Sequence, residues 1–296
     1  MSKNMRLLVS GASGHLGQRV LELLLQGEPR QLVAATRTPE KLAHFKAQGV
    51  EIRFADFNDP ASLDLAFAGI NRFLLISTDA LDGAGTRLKQ HRAAVQAAER
   101  AGVQHVVYTS LAQADKSLVL FAPDHAGTEA ALAQSSLSWT ILRNNLYTDF
   151  LLGSLTQAYQ LGGLFKAAGE GRVAYVTRED CAQAAAAALA ADFTGKRILE
   201  ISGPAALNHA EIADLVASIT GQPLKYVPVS LETVIQGMVG AGLPQPVAEV
   251  YASIDTAIAA GQLATVSNAV AELSGHQPTS IADFLAAQQA AFTPAV

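Results

Sequence analysis

The sequence predicts an α/β fold: a doubly wound parallel sheet with a smaller, mainly helical lobe beside it. Three observations carry this. Short apolar runs alternate with segments of helical period along the first half of the chain. Several of those runs are apolar at consecutive positions, as suits strands covered on both faces. The first run leads straight into Gly11-Ala12-Ser13-Gly14-His15-Leu16-Gly17, a glycine loop that opens a helix.

Arg6–Val9 reads as a buried strand, and Leu16, Val20, Leu23 and Leu24 then recur at helical spacing. Residues 32–36 supply the second strand. Thr38 is placed to cap the next helix, with Pro39 where its missing N–H costs nothing. Glu51–Phe54 is the third strand, and Asp59-Pro60 opens another helix. Strands at 73–76, 104–109 and 139–142 follow, separated by helices at 87–101 and near 125–134. After Asn145 the rhythm loosens. Short strands are expected at 174–176, 198–201 and 226–229, with helices around 179–191 and 209–219. Residues 231–261 read as helices broken at Gly240, Gly242, Pro244 and Pro246. No long linker or internal repeat appears. The expected division is 1–150 for a nucleotide-binding region and 151–296 for a substrate-side lobe interleaved with the last sheet elements.

Composition narrows the class. Half of the 296 residues are hydrophobic, enough for a sizeable core. Cys181 is the single cysteine, so no intrachain disulfide is expected, and the alanines around it read as close helix packing. The formal charge is −5 with no basic block, which argues against a nucleic-acid surface. The apolar runs are too short to span a membrane, so the expectation is a cytoplasmic protein without membrane insertion.

The glycine loop is the strongest single signal. Glycines let the backbone turn tightly and approach a pyrophosphate, and the helix N-terminus offers orphan N–H donors and a favourable dipole. The expected phosphate contacts are Gly11, Ser13, Gly14, His15, Leu16 and Gly17, with Ser13 adding a hydroxyl. The loop lacks the Gly-Lys-Ser/Thr ending of a Walker site, so a Rossmann-like dinucleotide site is expected, with a plain tight turn as the alternative. The second strand ends in Ala35-Thr36-Arg37, where an NAD-specific site offers a carboxylate. Arg37 instead presents a cation suited to a 2′-phosphate, so NADPH is expected over NADH, with a solvent-facing arginine after a strand as the alternative. Asp56 and Phe57 follow the third strand and are expected to border the adenine. Ser77 and Thr78 follow the fourth, where the cofactor crosses the sheet; their alternative is local loop bonding.

The catalytic region is notable for what it lacks. No Tyr-x-x-x-Lys pair occurs, so the tyrosine–lysine proton relay of ordinary short-chain dehydrogenases is unsupported. His125 and Glu129 are four apart and share a helical face, either as donor and orienting partner or as a plain i,i+4 pair. No metal site is expected. Asn144 or Asn145 is placed to hold the carboxamide side of nicotinamide or to shape the backbone. Tyr147 and Phe150 are placed to wall a planar pocket, with capping and turn formation as the alternative.

At these residues the chain resembles the NmrA-like atypical short-chain dehydrogenase/reductases, and within them the bacterial quinone and triphenylmethane-dye reductases. The matching pieces are Val9-Ser10-Gly11-Ala12-Ser13-Gly14-His15-Leu16-Gly17, Ala34-Ala35-Thr36-Arg37, Ala55-Asp56-Phe57, Leu75-Ile76-Ser77, Tyr108-Thr109-Ser110 and residues 125–129, 142–150 and 239–246. The resemblance implies NADPH in the glycine loop with Arg37 at its phosphate. It also implies a substrate side formed near Ser77, Tyr108, Asn144, Tyr147 and the small lobe. The implied reaction is hydride transfer to a planar, electron-poor acceptor, a quinone first and a triphenylmethane dye second, with Tyr147, Asn144 and His125 as the catalytic candidates. The group also contains dinucleotide sensors that regulate a partner without turnover, which stands as the other function class. Homodimerisation is left open.

Overall fold

The structure, a computed structural model, describes residues 5–28 and 30–293. Its centre is a seven-stranded sheet, parallel throughout, in the order β3-β2-β1-β4-β5-β6-β9. Its strands are β1 (Arg6–Val9), β2 (Gln31–Thr36), β3 (Glu51–Phe54), β4 (Arg72–Leu75), β5 (His105–Leu111), β6 (Ser138–Asn144) and β9 (Lys196–Ile201). The helices between them are α1 (His15–Gln26), α2 (Ala43–Ala47), α3 (Pro60–Phe67), α4 (Thr86–Arg100), α5 (Ala122–Gln134), α6 (Asp149–Leu161) and α7 (Arg178–Ala190). The chain winds outward through β1, β2 and β3, then returns to place β4 on the other side of β1. That reversal opens a crevice at the C-terminal ends of β1 and β4, where doubly wound sheets hold their ligands.

The remaining elements are small. They comprise β7 (Leu164–Lys166), β8 (Arg172–Val173), β10 (Leu207–Asn208), α8 (His209–Thr220), β11 (Tyr226–Pro228), α9 (Leu231–Gly240), α10 (Gln245–Ala259), α11 (Ala269–Ser274) and α12 (Ile281–Ala287). β11 pairs with β7 and β10 with β8, each as a two-stranded sheet. Two apolar clusters cover the faces of the main sheet, one with α1 and α7, the other with α3 and α4. A third, including Leu155, Tyr175, Ile212, Val216, Ile258 and Phe292, sits under the small lobe and also takes Leu111, Val119 and Ala122 from before residue 150. Ala182, Ala184, Ala185 and Ala188 of α7 are fully buried, so this helix lies close against α1.

Several elements differ from the sequence reading for identifiable reasons. β4 begins at Arg72, a charged residue that is 3% exposed. Its guanidinium donates to the carbonyls of Leu189 (2.8 Å), Ala188 (3.3 Å) and Phe193 (3.1 Å), satisfying the orphan end of α7. The strand expected at 174–176 is absent: β8 stops at Val173, and Val176 makes only a lone parallel bridge to Tyr147. Pro246 does not break a helix, because it lies in the first turn of α10, where no intrahelical N–H is needed.

Candidate functional site

The crevice at the reversal is a cleft of about 300 Å³. It is lined from the ends of four strands: Gly11, Ser13 and Gly14 after β1; Thr36 and Arg37 after β2; Asp56 and Phe57 after β3; Ile76, Ser77, Thr78 and Asp79 after β4. Eight of the twelve residues expected around the cofactor therefore share one cavity. His15, Leu16, Gly17 and Asn144 do not line it. His15 is exposed, and the Leu16 side chain packs in the core below the loop.

The loop is built to leave donors free. Gly11 has φ +58°, a left-handed turn that favours glycine. Gly14 is the N-cap of α1 and has no side chain to cap it, and no acidic residue occupies the first turn. Gln18 N–H returns to Gly14 C=O at 2.9 Å, so the N–H groups of His15, Leu16 and Gly17 have no carbonyl behind them. Thr36 Oγ1 donates to Ser13 Oγ (2.9 Å), which leaves the Ser13 hydroxyl proton available to an anion. Arg37 is exposed at the rim and forms no ion pair among the described residues. A cradle of free N–H donors, a free hydroxyl proton and an unpaired guanidinium fits a phosphorylated dinucleotide.

The floor of the cleft is held from behind by side chains. Ile76 N–H donates to Ser10 Oγ (3.1 Å), Ser77 N–H to Thr109 Oγ1 (3.0 Å) and Thr78 N–H to His91 Nε2 (3.0 Å). Ser10, Thr109 and His91 are all buried. Three consecutive amides past the end of β4 thus have fixed directions although the sheet no longer pairs them.

At the other end, Asp56 and Gln90 face the same cavity. Asp56 Oδ1 accepts from the Asn58 N–H (2.9 Å) and from Asn58 Nδ2 (3.2 Å). A carboxylate only accepts, so Asn58 must turn its Oδ1 toward Gln90 Nε2, at 3.3 Å. Gln90 Oε1 is left without a partner. Gln90 and His91 escaped the sequence reading. Their signal is the buried stripe of α4 at Arg87, Gln90, His91, Ala94 and Ala98, where three polar side chains stand in positions of apolar period.

The catalytic candidates lie outside this cleft. His125 and Glu129 do not pair. Glu129 forms a double contact with Arg143 (2.6 and 3.0 Å) and accepts from Ser110 Oγ (2.6 Å), because Arg143 points back from β6 toward α5. His125 is 4% exposed, with Nδ1 2.8 Å from the Tyr108 hydroxyl and Nε2 3.2 Å from Arg87. Burial holds its imidazole far below the ordinary range. Asn145 shapes backbone: its Nδ2 donates to Leu263 C=O (3.0 Å) and its Oδ1 accepts from Leu146 N–H (2.8 Å). Asn144 Nδ2 donates to the Tyr147 hydroxyl at 3.2 Å, while its buried Oδ1 has no partner. Burial raises the Tyr147 phenol pKa. The Tyr147 ring stacks on the exposed ring of Phe150 at 5.8 Å, and the Arg178 guanidinium lies 5.7 Å from the centre of the Tyr147 ring. Among the described residues, no cluster of three or more His, Cys, Asp or Glu side chains is arranged to hold a metal, and no helix is long and apolar enough to cross a membrane.

Comparison with known proteins agrees with this geometry. The profile of a family described as NAD(P)H-binding matches residues 11–192. Quinone oxidoreductase 2 of Escherichia coli (strain K12) is 34% identical over 278 residues, covering 94% of this chain and 96% of the relative. The crystal structure of an Escherichia coli NADPH-dependent quinone oxidoreductase complexed with NADPH superposes with a TM-score of 0.91 at 34% identity, covering 96% of this chain and 99% of the other. The triphenylmethane reductase of Citrobacter sp., complexed with NADP(H), gives 0.89 at 35% identity, covering 95% and 99%.

Proposed function

Since the chain belongs to the NmrA-like NAD(P)H-binding family, with the fold of its oxidoreductases, we propose that it is an NADPH-dependent reductase of quinones or similarly planar, electron-poor acceptors. The observation that carries the reading is the joint presence, in one cleft, of an uncapped helix N-terminus and an unpaired Arg37. On this reading the N–H groups of His15, Leu16 and Gly17 and the Ser13 hydroxyl hold the pyrophosphate. Arg37 takes the 2′-phosphate, which favours NADPH over NADH. Asp56 and Gln90 present acceptors suited to the amino group of adenine, and Phe57 gives an apolar edge. NADPH, when bound, supplies a hydride.

The protein's own contribution is then chiefly positioning. Ile76, Ser77 and Thr78 form a floor whose amides cannot swing, and Tyr147 and Phe150 offer an aromatic wall for a planar acceptor. Electron-poor acceptors draw hydride without prior protonation, which suits a chain that has no Tyr-x-x-x-Lys couple. Residues 1–150 carry the dinucleotide, and 151–296 complete the acceptor side that Tyr147 and Phe150 begin. The working compartment is the reducing cytoplasm, where buried Cys181 remains a thiol.

The test is NADPH oxidation against a panel of quinones, cationic triphenylmethane dyes and aldehydes, with NADPH deuterated at either face of nicotinamide C4. Acceptor-dependent, stereospecific loss of label with quinones supports the proposal. Turnover confined to dyes transfers the assignment to a dye reductase. Tight NADPH binding with no turnover on any acceptor transfers it to a dinucleotide sensor.

A further inference from the structure

We propose that His91 is a positioning residue for the bound dinucleotide: as the neutral Nδ1–H tautomer, it holds the Thr78 amide in the floor of the cleft. The proposal rests on the reading of that cleft as the NADPH site. Its basis is a buried hydrogen-bond chain whose direction is fixed at both ends by groups that only donate.

At one end stands Arg87, 6% exposed, with its guanidinium over the Phe121 ring and Nη1 3.2 Å from His125 Nε2. A guanidinium has no lone pair to offer, so His125 Nε2 must accept and its proton must lie on Nδ1. That Nδ1–H points at the Tyr108 hydroxyl, 2.8 Å away. The Tyr108 hydroxyl also lies 3.4 Å from His91 Nδ1. At the other end stands the Thr78 N–H, 3.0 Å from His91 Nε2. His91 Nε2 must accept as well, which places its proton on Nδ1, facing Thr128 Oγ1 at 3.0 Å. Thr128 passes its own proton to Asp124 C=O at 2.7 Å, which closes the chain on a backbone acceptor.

Every group has one consistent role only if both imidazoles are neutral. A proton on His91 Nε2 would meet the Thr78 N–H, and one on His125 Nε2 would meet Arg87. The groups around His91 reinforce this. From α4 it faces Arg87; from β5, Tyr108; from α5, His125 and Thr128. No carboxylate touches it: Asp79 and Asp124 act at longer range on Arg87, and Asp124 and Glu129 on Tyr108. Burial and the Arg87 charge depress the His91 imidazole to about 3. Ser10 and Thr109 hold the neighbouring amides without a titratable group, so Thr78 is the one floor position whose anchor depends on a protonation state.

Two measurements test this. The first is 15N NMR of histidine-labelled protein, with and without NADPH. The expected result is an unprotonated Nε2 and a protonated Nδ1 for His91, unchanged from about pH 5 to 8. A midpoint in the ordinary imidazole range, or a proton on Nε2, overturns the proposal. The second compares His91→Leu with His91→Gln, whose amide oxygen can stand where Nε2 accepts. The leucine variant should weaken NADPH binding by about tenfold at temperatures where it is folded, and the glutamine variant should restore it to within about twofold. A folded leucine variant that binds NADPH like the parent overturns the proposal, and should that variant not fold, the NMR result decides. If the parent itself fails to bind NADPH, the cofactor reading falls, whereas the tautomer assignment is still decided in the apo protein.

Discussion

A β-carbon built on Gly17 would lie 2.4 Å from the carbonyl oxygen of Gly11, so the first turn of α1 closes over the glycine loop with no room for a side chain. Gly14 is different. Its β-carbon would stand 3.3 Å from the same oxygen, its φ of −83° is open to any residue, and it lines the cleft. Gly14→Val is therefore expected to keep the fold while weakening NADPH binding about a hundredfold or more, roughly 3 kcal/mol. Gly17→Val should instead lower the melting temperature, because Gly11 and Ala12 backbone would have to move. Calorimetric titration beside thermal melts separates the two. Undiminished affinity in a folded Gly14→Val protein removes the loop from the site.

Arg37 carries the expected choice of cofactor. It is exposed and has no carboxylate partner, so its loss leaves no buried charge behind. A charge-assisted bond to a 2′-phosphate contributes about 1.5–3 kcal/mol. Arg37→Ala should then lose roughly 10- to 100-fold in NADPH affinity and little in NADH affinity. Equal losses for both nucleotides count against a 2′-phosphate contact.

Four of the seven histidines are buried, and each is held neutral. Burial depresses His91 and His105 to about 3 and His209 to about 4, and holds His125 well below the ordinary imidazole range. The unfolded chain takes up these protons below about pH 6.5, whereas the folded chain resists until near pH 3–4. The stability they permit is complete above about pH 6.5 and declines as the pH falls toward 4, each group adding a slope of about 1.4 kcal/mol per pH unit. His209 isolates the effect, since neither ring nitrogen has a partner. Denaturant melts from about pH 7 to 5 should show a shallower decline for His209→Leu, by about one proton. An unchanged slope would mean that His209 is protonated in the native protein.

The parts legible in the sequence are those set by local rules. β1, the glycine loop, α1 and the order of alternating strands and helices follow from apolar period and glycine placement, which need no knowledge of distant neighbours. Arg37, Asp56 and Ser77 share a cleft because each lies within two residues of the end of a strand, a position the topology brings to one edge. The pairing of Glu129 was not legible: four-residue spacing allows His125, but Arg143 on a neighbouring strand supplies the stronger, charged partner. Arg72 and His91 were hidden for the same reason. A buried polar residue looks like a break in the apolar pattern until the carbonyl or amide it satisfies is in view.

The candidates for proton donation yield the last prediction. The Tyr147 hydroxyl lies deep, accepts from Asn144 and has its pKa raised by burial, while its ring faces Phe150. Such a phenol is a poor general acid near neutral pH, and in the proposed reading its ring serves only to orient a planar acceptor. His125 is still less suited: both ring nitrogens are occupied, and it does not line the cleft. Loss of a required general acid costs about 10²–10⁴ in rate. Tyr147→Phe should therefore lower kcat by less than about tenfold and act mainly on the acceptor KM. His125→Ala should leave kcat within about tenfold, with a loss of stability of about 1–3 kcal/mol because Arg87 and the Tyr108 hydroxyl lose a buried partner. Steady-state kinetics with a quinone at saturating NADPH, below the melting temperature of each variant, distinguishes these outcomes. A hundredfold fall in kcat for Tyr147→Phe with unchanged acceptor KM would make the phenol the proton donor and displace positioning as the main source of catalysis.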